Sequence, residues 1–129
     1  MKKRRIGSPV VPEPPPQTWS NALVVGNQVF VAGMTARSGS EVVGGDSMYG
    51  QSRAIFEKIR HLMEAAGGKM DDIVKVTVFV TDVRYREPYG EVRSEFFGPN
   101  PPASTLVQIS NLAIPGALIE IEAIAAIDS

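Results

Sequence analysis

Glu120 and Glu122 are the residues whose types and spacing best suit acid–base chemistry in this chain. They alternate with Ile119 and Ile121, and side chains two apart in a strand project to one face, so the carboxylates share a side. Leu118 and Ile124 bracket them on that face. A face that begins and ends in Leu and Ile is not a fully hydrated one, and removal from water raises a carboxyl pKa toward the range useful for moving protons. A rim salt bridge or a water-facing pair is the other reading the pattern leaves open. Other chemistry-bearing residues are sparse. The absence of cysteine excludes disulfides, thiolate nucleophiles and Cys-held metals. His61 is the one histidine, which excludes a multi-histidine metal centre and a two-histidine mechanism. Ser104-Thr105 has no base beside it. No Gly-x-Ser-x-Gly elbow, Walker loop or Gly-x-Gly-x-x-Gly fingerprint occurs.

These residues need a frame. Ala22–Val25 and Gln28–Ala32 read as strands, with hairpin chemistry at Gly26-Asn27. Residues 37–46, with two serines and three glycines, read as a loop. A helix is expected from about Ser47 to Ala66, capped by Asp46 or Ser47 and stopped by Gly67-Gly68. Ile55, Phe56, Ile59, Leu62 and Met63 recur on its inner side at helical spacing, while His61 falls with the charged set. Ile73–Thr81 is the clearest strand, with Val74, Val76, Val78 and Val80 on one face and Lys75, Thr77, Phe79 and Thr81 on the other. A second helix from about Arg86 to Phe97 has Pro88 in its first turn and Tyr89, Val92 and Phe96 turned inward. Two strands, Ser104–Ile109 and Leu118–Ala126, close the chain.

The order ββαβαββ offers two helices for a sheet of five or six strands. They cover one face and give a two-layer α+β sandwich. Leu23 to Val25, Val29 to Ala32 and Phe79 leave the other face apolar as well, so a second subunit is expected to cover it.

Composition agrees with one ordinary domain: 43% hydrophobic and 21% charged residues over 129 positions exclude disorder and coiled coil. A net charge of −1 argues against a nucleic-acid partner, which needs a basic excess. The basic run Lys2–Arg5 is followed by a stretch carrying five of the ten prolines between positions 9 and 16. Residues 1–18 are therefore expected to form a basic, proline-rich segment ahead of a single domain at 19–129. Prolines break what would be a signal peptide's apolar stretch, and no run of about 18 apolar residues occurs, so neither a leader nor a membrane span is expected and a cytoplasmic location fits.

Several segments together carry a resemblance. Gly26-Asn27-Gln28-Val29-Phe30-Val31-Ala32-Gly33, Met63-Glu64-Ala65-Ala66-Gly67, the strand from Asp71 to Asp82, Glu95-Phe96-Phe97, Pro102-Ala103 and the closing Ile119-Glu120-Ile121-Glu122-Ala123-Ile124-Ala125 resemble the RidA (YjgF, L-PSP) family, in order from about Trp19 to Ala125. The resemblance implies a chorismate-mutase-like fold and a homotrimer whose sheets pack into a central β-barrel, with small-molecule clefts between subunits. It implies cytosolic hydrolysis of imines and enamines to keto acids and ammonia with no metal or cofactor. Some members carry the label endoribonuclease or translation inhibitor.

Carried over by position, the resemblance assigns Glu120 to orienting or activating water, and Gly33 is also kept. The rest of the cleft is rewritten. The arginine that clamps a substrate carboxylate in active members is Ser104 here, and a hydroxyl cannot make a bidentate, charge-assisted fork. The family's N-terminal tyrosine corresponds to Trp19, its second-helix asparagine to Gly90, a small polar residue or cysteine to Leu106, and a serine to Ala32. Such a cleft is more apolar and less positive. It suits a less anionic ligand, or one whose anion is met by Arg37 or Arg93. Three functions follow: a hydrolase of altered specificity using Glu120, a non-catalytic ligand-binding or regulatory trimer, and, least supported by charge, a ribonuclease.

Overall fold

The computed structural model describes residues 2–128 and builds one six-stranded sheet. Its strands are β1 (Lys3–Ile6), β2 (Ala22–Val25), β3 (Gln28–Met34), β6 (Ile73–Val80), β7 (Ala103–Gln108) and β8 (Ile119–Ala126), in the order β1-β2-β3-β8-β6-β7. A small hairpin, β4 (Arg37–Ser38) with β5 (Glu41–Val42), stands apart. Neighbouring strands are antiparallel except β6 and β7, which run parallel with helix α2 (Glu87–Phe97) as their crossover. Helix α1 (Met48–Ala65) precedes β6.

Local chemistry explains the helices. The Gly50 N–H donates to Ser47 Oγ at 2.9 Å, satisfying one of the amides that a helix start leaves unpaired. Ile55, Phe56, Ile59, Leu62 and Met63 are fully buried, so the predicted stripe of α1 is the one that packs. Pro88 occupies the first turn of α2, where a missing N–H costs nothing. The helices meet through aromatic rings: Phe56 lies 6.0 Å from Tyr89, 5.3 Å from Phe96 and 5.5 Å from Phe97, centroid to centroid. Truncating Phe56 to Ala would cost about 3–5 kcal/mol.

Both helices lie on one side of the sheet, which makes the two-layer α+β sandwich. Val29, Val31, Val76, Val78, Val80, Ile119, Ile121, Ala123 and Ala125 form the sheet's share of the core. The opposite face carries Leu23, Phe30, Phe79, Val107 and Ile124 among Lys75, Thr77, Glu120 and Glu122, and among the described residues no second layer covers it. Phe30, Val107 and Ile124 are each nearly 40% exposed there.

Three features depart from the sequence reading. Residues 1–18 are not wholly outside the domain: Lys3–Ile6 pairs with β2 as an edge strand, and Ile6 and Val11 are buried in the core. The run of charges hid a strand whose one apolar residue is its anchor. Residues 37–46 contain the β4–β5 hairpin rather than plain loop. Val74 leaves the valine face, because β6 carries one extra residue between Ile73 and Lys75; Ile73 takes the buried place and Val74 is 51% exposed.

Candidate functional site

The sheet places Glu120 beside Phe79 of β6 on the uncovered face. On its other side, β3 carries one extra residue between Val31 and Met34 relative to β8, so Ala32 and Gly33 together oppose a single residue. The bulge brings the Gly33 backbone against the glutamate. A Cβ on Gly33 would stand 2.5 Å from Glu120 Oε2 and 2.9 Å from its Cδ, so any side chain there would displace the carboxylate. Gly33 is outside the positive-φ region, and its need for glycine is therefore this close approach and not backbone freedom. Glu120 is half-buried. Burial raises its pKa above the usual carboxylate value, and the nearby Glu122 carboxylate raises it further.

The start of β8 is held from the helix layer. Gln51 of α1, completely buried, accepts the Leu118 N–H at 2.8 Å and donates to the carbonyls of Gly45 at 2.7 Å and Gly116 at 3.0 Å. It fixes the entry of the strand that bears Glu120, two residues on. The sequence reading missed this residue. Its signal was a glutamine four and eight places before Ile55 and Ile59, on the apolar stripe of α1.

Ala32 lines a shallow cavity of about 300 Å³ on the uncovered face with Phe30, Lys75, Thr77, Glu122 and Ile124. Lys75 Nζ donates to Thr105 Oγ1 at 2.6 Å across this surface. The second group of predicted residues lies elsewhere. Gly90 and Leu106 line a groove of about 470 Å³ between α2 and β7, together with Arg86, Tyr89, Arg93 and Ser94. In the parallel pairing of β6 with β7, Ser104 stands beside Val76 and Leu106 beside Val78, so both point to the helix side. Tyr89 is 2% exposed and its hydroxyl has no hydrogen-bond partner among the described residues; burial raises its pKa, while Arg93 and the neighbouring Ser104 hydroxyl lower it. Ser104 approaches that hydroxyl without meeting hydrogen-bond geometry.

One chain therefore sets the expected site residues in two groups on opposite faces of its sheet. Glu120, Gly33 and Ala32 lie toward the uncovered face; Gly90 and Leu106 line the α2–β7 groove, and Ser104 lies on the same side of β7. Trp19 joins neither, being 54% exposed and lining neither cavity. A third cavity of about 560 Å³, bounded by Met48, Thr81, Asp82, Tyr85 and Leu118, contains none of the predicted site residues. Among the described residues no three His, Asp or Glu side chains converge as metal ligands, and no helix is long and apolar enough to cross a membrane.

Comparison with known proteins agrees with this architecture. Residues 12–127 match the family model described as Endoribonuclease L-PSP. A RutC family protein of Pyrococcus abyssi is 40% identical over 109 residues, covering 83% of this chain and 84% of its own. A protein of Dermatophagoides farinae named 2-iminobutanoate/2-iminopropanoate deaminase is 33% identical over 129 residues, covering 98% of each. Among solved structures, RidA from an Antarctic Psychrobacter superposes with a TM-score of 0.80 at 31% identity, covering 89% of this chain and 93% of its own. A Thermotoga maritima structure reaches 0.90 at 34% identity, with complete coverage of both chains. The sheet with its two helices on one side, the Gly33–Glu120 contact and a match over nearly the whole sequence have one common explanation: the chain belongs to the L-PSP endoribonuclease family, also called RidA/YjgF.

Proposed function

We propose that this protein hydrolyses a small imine or enamine to a carbonyl compound and ammonia, in clefts formed between copies of itself. The observation that carries the proposal is the Glu120 carboxylate, half out of water and packed against Gly33, where any side chain would displace it. A carboxylate held in that state takes a proton from water as the water oxygen bonds to the C=N carbon. The imine enters protonated on nitrogen, so this addition gives a neutral tetrahedral carbinolamine. Glu120 then returns its proton to the amino group, the C–N bond breaks and ammonia leaves, while the carbinolamine hydroxyl gives its proton to solvent as the C=O bond forms. Imine and water are consumed, ketone and ammonia released, and the carboxylate is restored with no metal or cofactor. The relative named 2-iminobutanoate/2-iminopropanoate deaminase supports this choice of substrate class.

Assembly is part of the proposal. An apolar sheet face bearing Phe30, Val107 and Ile124 needs a cover, and the two half-sites of one chain point away from each other. A homotrimer with the sheets inward satisfies both needs, by setting the α2–β7 groove of one subunit beside the Glu120 face of the next. A non-catalytic ligand-binding trimer is the second reading, favoured by the hydroxyl of Ser104 where active relatives are expected to carry a clamping arginine. Ammonia and keto-acid release from freshly generated 2-iminobutanoate separates the two. Hydrolysis predicts fast release by the wild type and a loss of about 10²–10⁴-fold in Glu120→Gln; a wild type no faster than Glu120→Gln leaves only ligand binding.

A further inference from the structure

Of the two arginines that the sequence offers to a ligand's anion, Arg37 is already engaged. It lies in the β4–β5 hairpin, its Nε donates to the Gly39 carbonyl at 2.8 Å, and it lines none of the three cavities. Arg93 is placed differently. It lines the α2–β7 groove and takes part in none of the ion pairs among the described residues. Its guanidinium carbon lies 6.0 Å from the centre of the Tyr89 ring, and its Nη2 stands 3.6 Å from where a Cβ of Gly90 would be. The guanidinium therefore lies beside Gly90 at about van der Waals distance. The groove thus holds, between α2 and β7, a cation with no ion-pair partner among the described residues. A second observation points to a ligand here. Tyr89 lines the same groove, and its buried hydroxyl has no hydrogen-bond partner among the described residues, a costly state.

We infer that Arg93 binds the carboxylate of the ligand in this chain. Leu106 forms the apolar wall of the same groove, so the ligand expected here is a small carboxylate with an apolar side chain. Arg86 is partly committed, donating to the Val83 carbonyl at 2.8 Å. Glu87 and Glu91 also line the groove but are exposed, where water screens them from a bound anion. The inference rests on the proposed cleft and adds the residue that reads the ligand's charge.

The test is calorimetric binding of two compounds that need no turnover, 2-oxobutanoate and its amide. The wild type is expected to prefer the carboxylate. Arg93→Gln should weaken carboxylate binding roughly 10–100-fold, the usual weight of a lost charge-assisted hydrogen bond, and leave the amide unchanged. Arg93→Lys should keep part of the preference, and Arg37→Gln should behave as wild type. A wild type that binds neither compound or does not distinguish them, or an Arg93→Gln protein that keeps full carboxylate affinity, overturns the inference. Loss of carboxylate binding in Arg93→Gln beside a wild type that hydrolyses no imine would sustain Arg93 and sink the hydrolase reading instead.

Discussion

The two half-sites are built by different means. Glu120 is held by backbone: a bulge in β3 sets Gly33 beneath it, β6 flanks it with Phe79, and Gln51 fixes the turn that leads into its strand. The α2–β7 groove is built from side chains that leave space. Gly90 is short, and the charge sits at the end of Arg93, a long side chain with no ion-pair partner among the described residues. The comparison teaches where change is cheap. A carboxylate embedded in a sheet register cannot move without its frame, whereas a groove lined by an edge strand and one helix face is retuned by single substitutions.

The most severe way to break this comparison is to keep the half-sites apart. Ile124 points to the uncovered face, away from the helices, so Ile124→Glu spares the core of the isolated chain. It sets a third carboxylate among Glu120, Glu122 and the apolar residues that a neighbouring subunit would cover. Light scattering after gel filtration should show monomers, circular dichroism an unchanged fold, and ammonia release should fall to the level of Glu120→Gln. A monomer that retains full activity would mean that one half-site suffices.

Gly33→Ala attacks the rigid region alone. The new Cβ claims the space of Glu120 Oε2, while the backbone angles remain acceptable for alanine. Misplacing a reacting group by about 1 Å costs on the order of 10²-fold in rate. The expected result is a fall of about 10–100-fold in kcat with Tm unchanged or slightly raised, since alanine also restricts the unfolded chain. Equal losses of kcat and Tm would make Gly33 a residue of the frame and not of the site.

The sequence made the first region legible and the second only in part. Glu120 announced itself because a strand of period two with alternating Ile and Glu declares which residues share a face. The closeness of Gly33 to it depends on a bulge, and one extra residue in β3 leaves no mark in the hydrophobic pattern. The same event in β6 sent Val74 to the wrong face in an otherwise correct strand. Helix α1 was readable almost to its ends because Ser47 and Gly67 mark them. Strand β1 was not, since Lys3, Arg4 and Arg5 read as a solvated tail and only Ile6 betrays the pairing. Resemblance named Trp19, Ala32, Gly90, Ser104 and Leu106 as one cleft; Gly90 and Leu106 line one groove, and that Glu120 lies across the sheet from Ser104 and Leu106 is decided by the register of β7 on β6.

A finer test sharpens the electrostatic side of Glu120. Burial is the main cause of its raised pKa and Glu122 the second. If Glu120 must be ionised to receive water's proton, kcat/KM is lost as pH falls through that raised value. Glu122→Gln removes the second cause, so the acid limb of the profile should move to lower pH while the plateau rate stays near wild type. A limb that stays fixed would assign the whole shift to burial.

The smallest effect is thermodynamic and needs no substrate. The folded pKa of Glu120 lies above its unfolded value, so folding favours the protonated form. Its favourable contribution is complete below the unfolded carboxyl pKa and is lost as pH rises through the folded one. A glutamine has no charge to bury and suffers no such loss. Glu120→Gln should therefore raise Tm at neutral pH, by a few degrees at most, with the gain shrinking toward zero as the pH drops into the range where glutamate is protonated in both states. A stabilisation that persisted at acidic pH would arise from packing against Gly33 and not from charge. Glu122→Gln, by relieving the same repulsion at a more exposed position, should give a weaker version of the same pH-dependent gain.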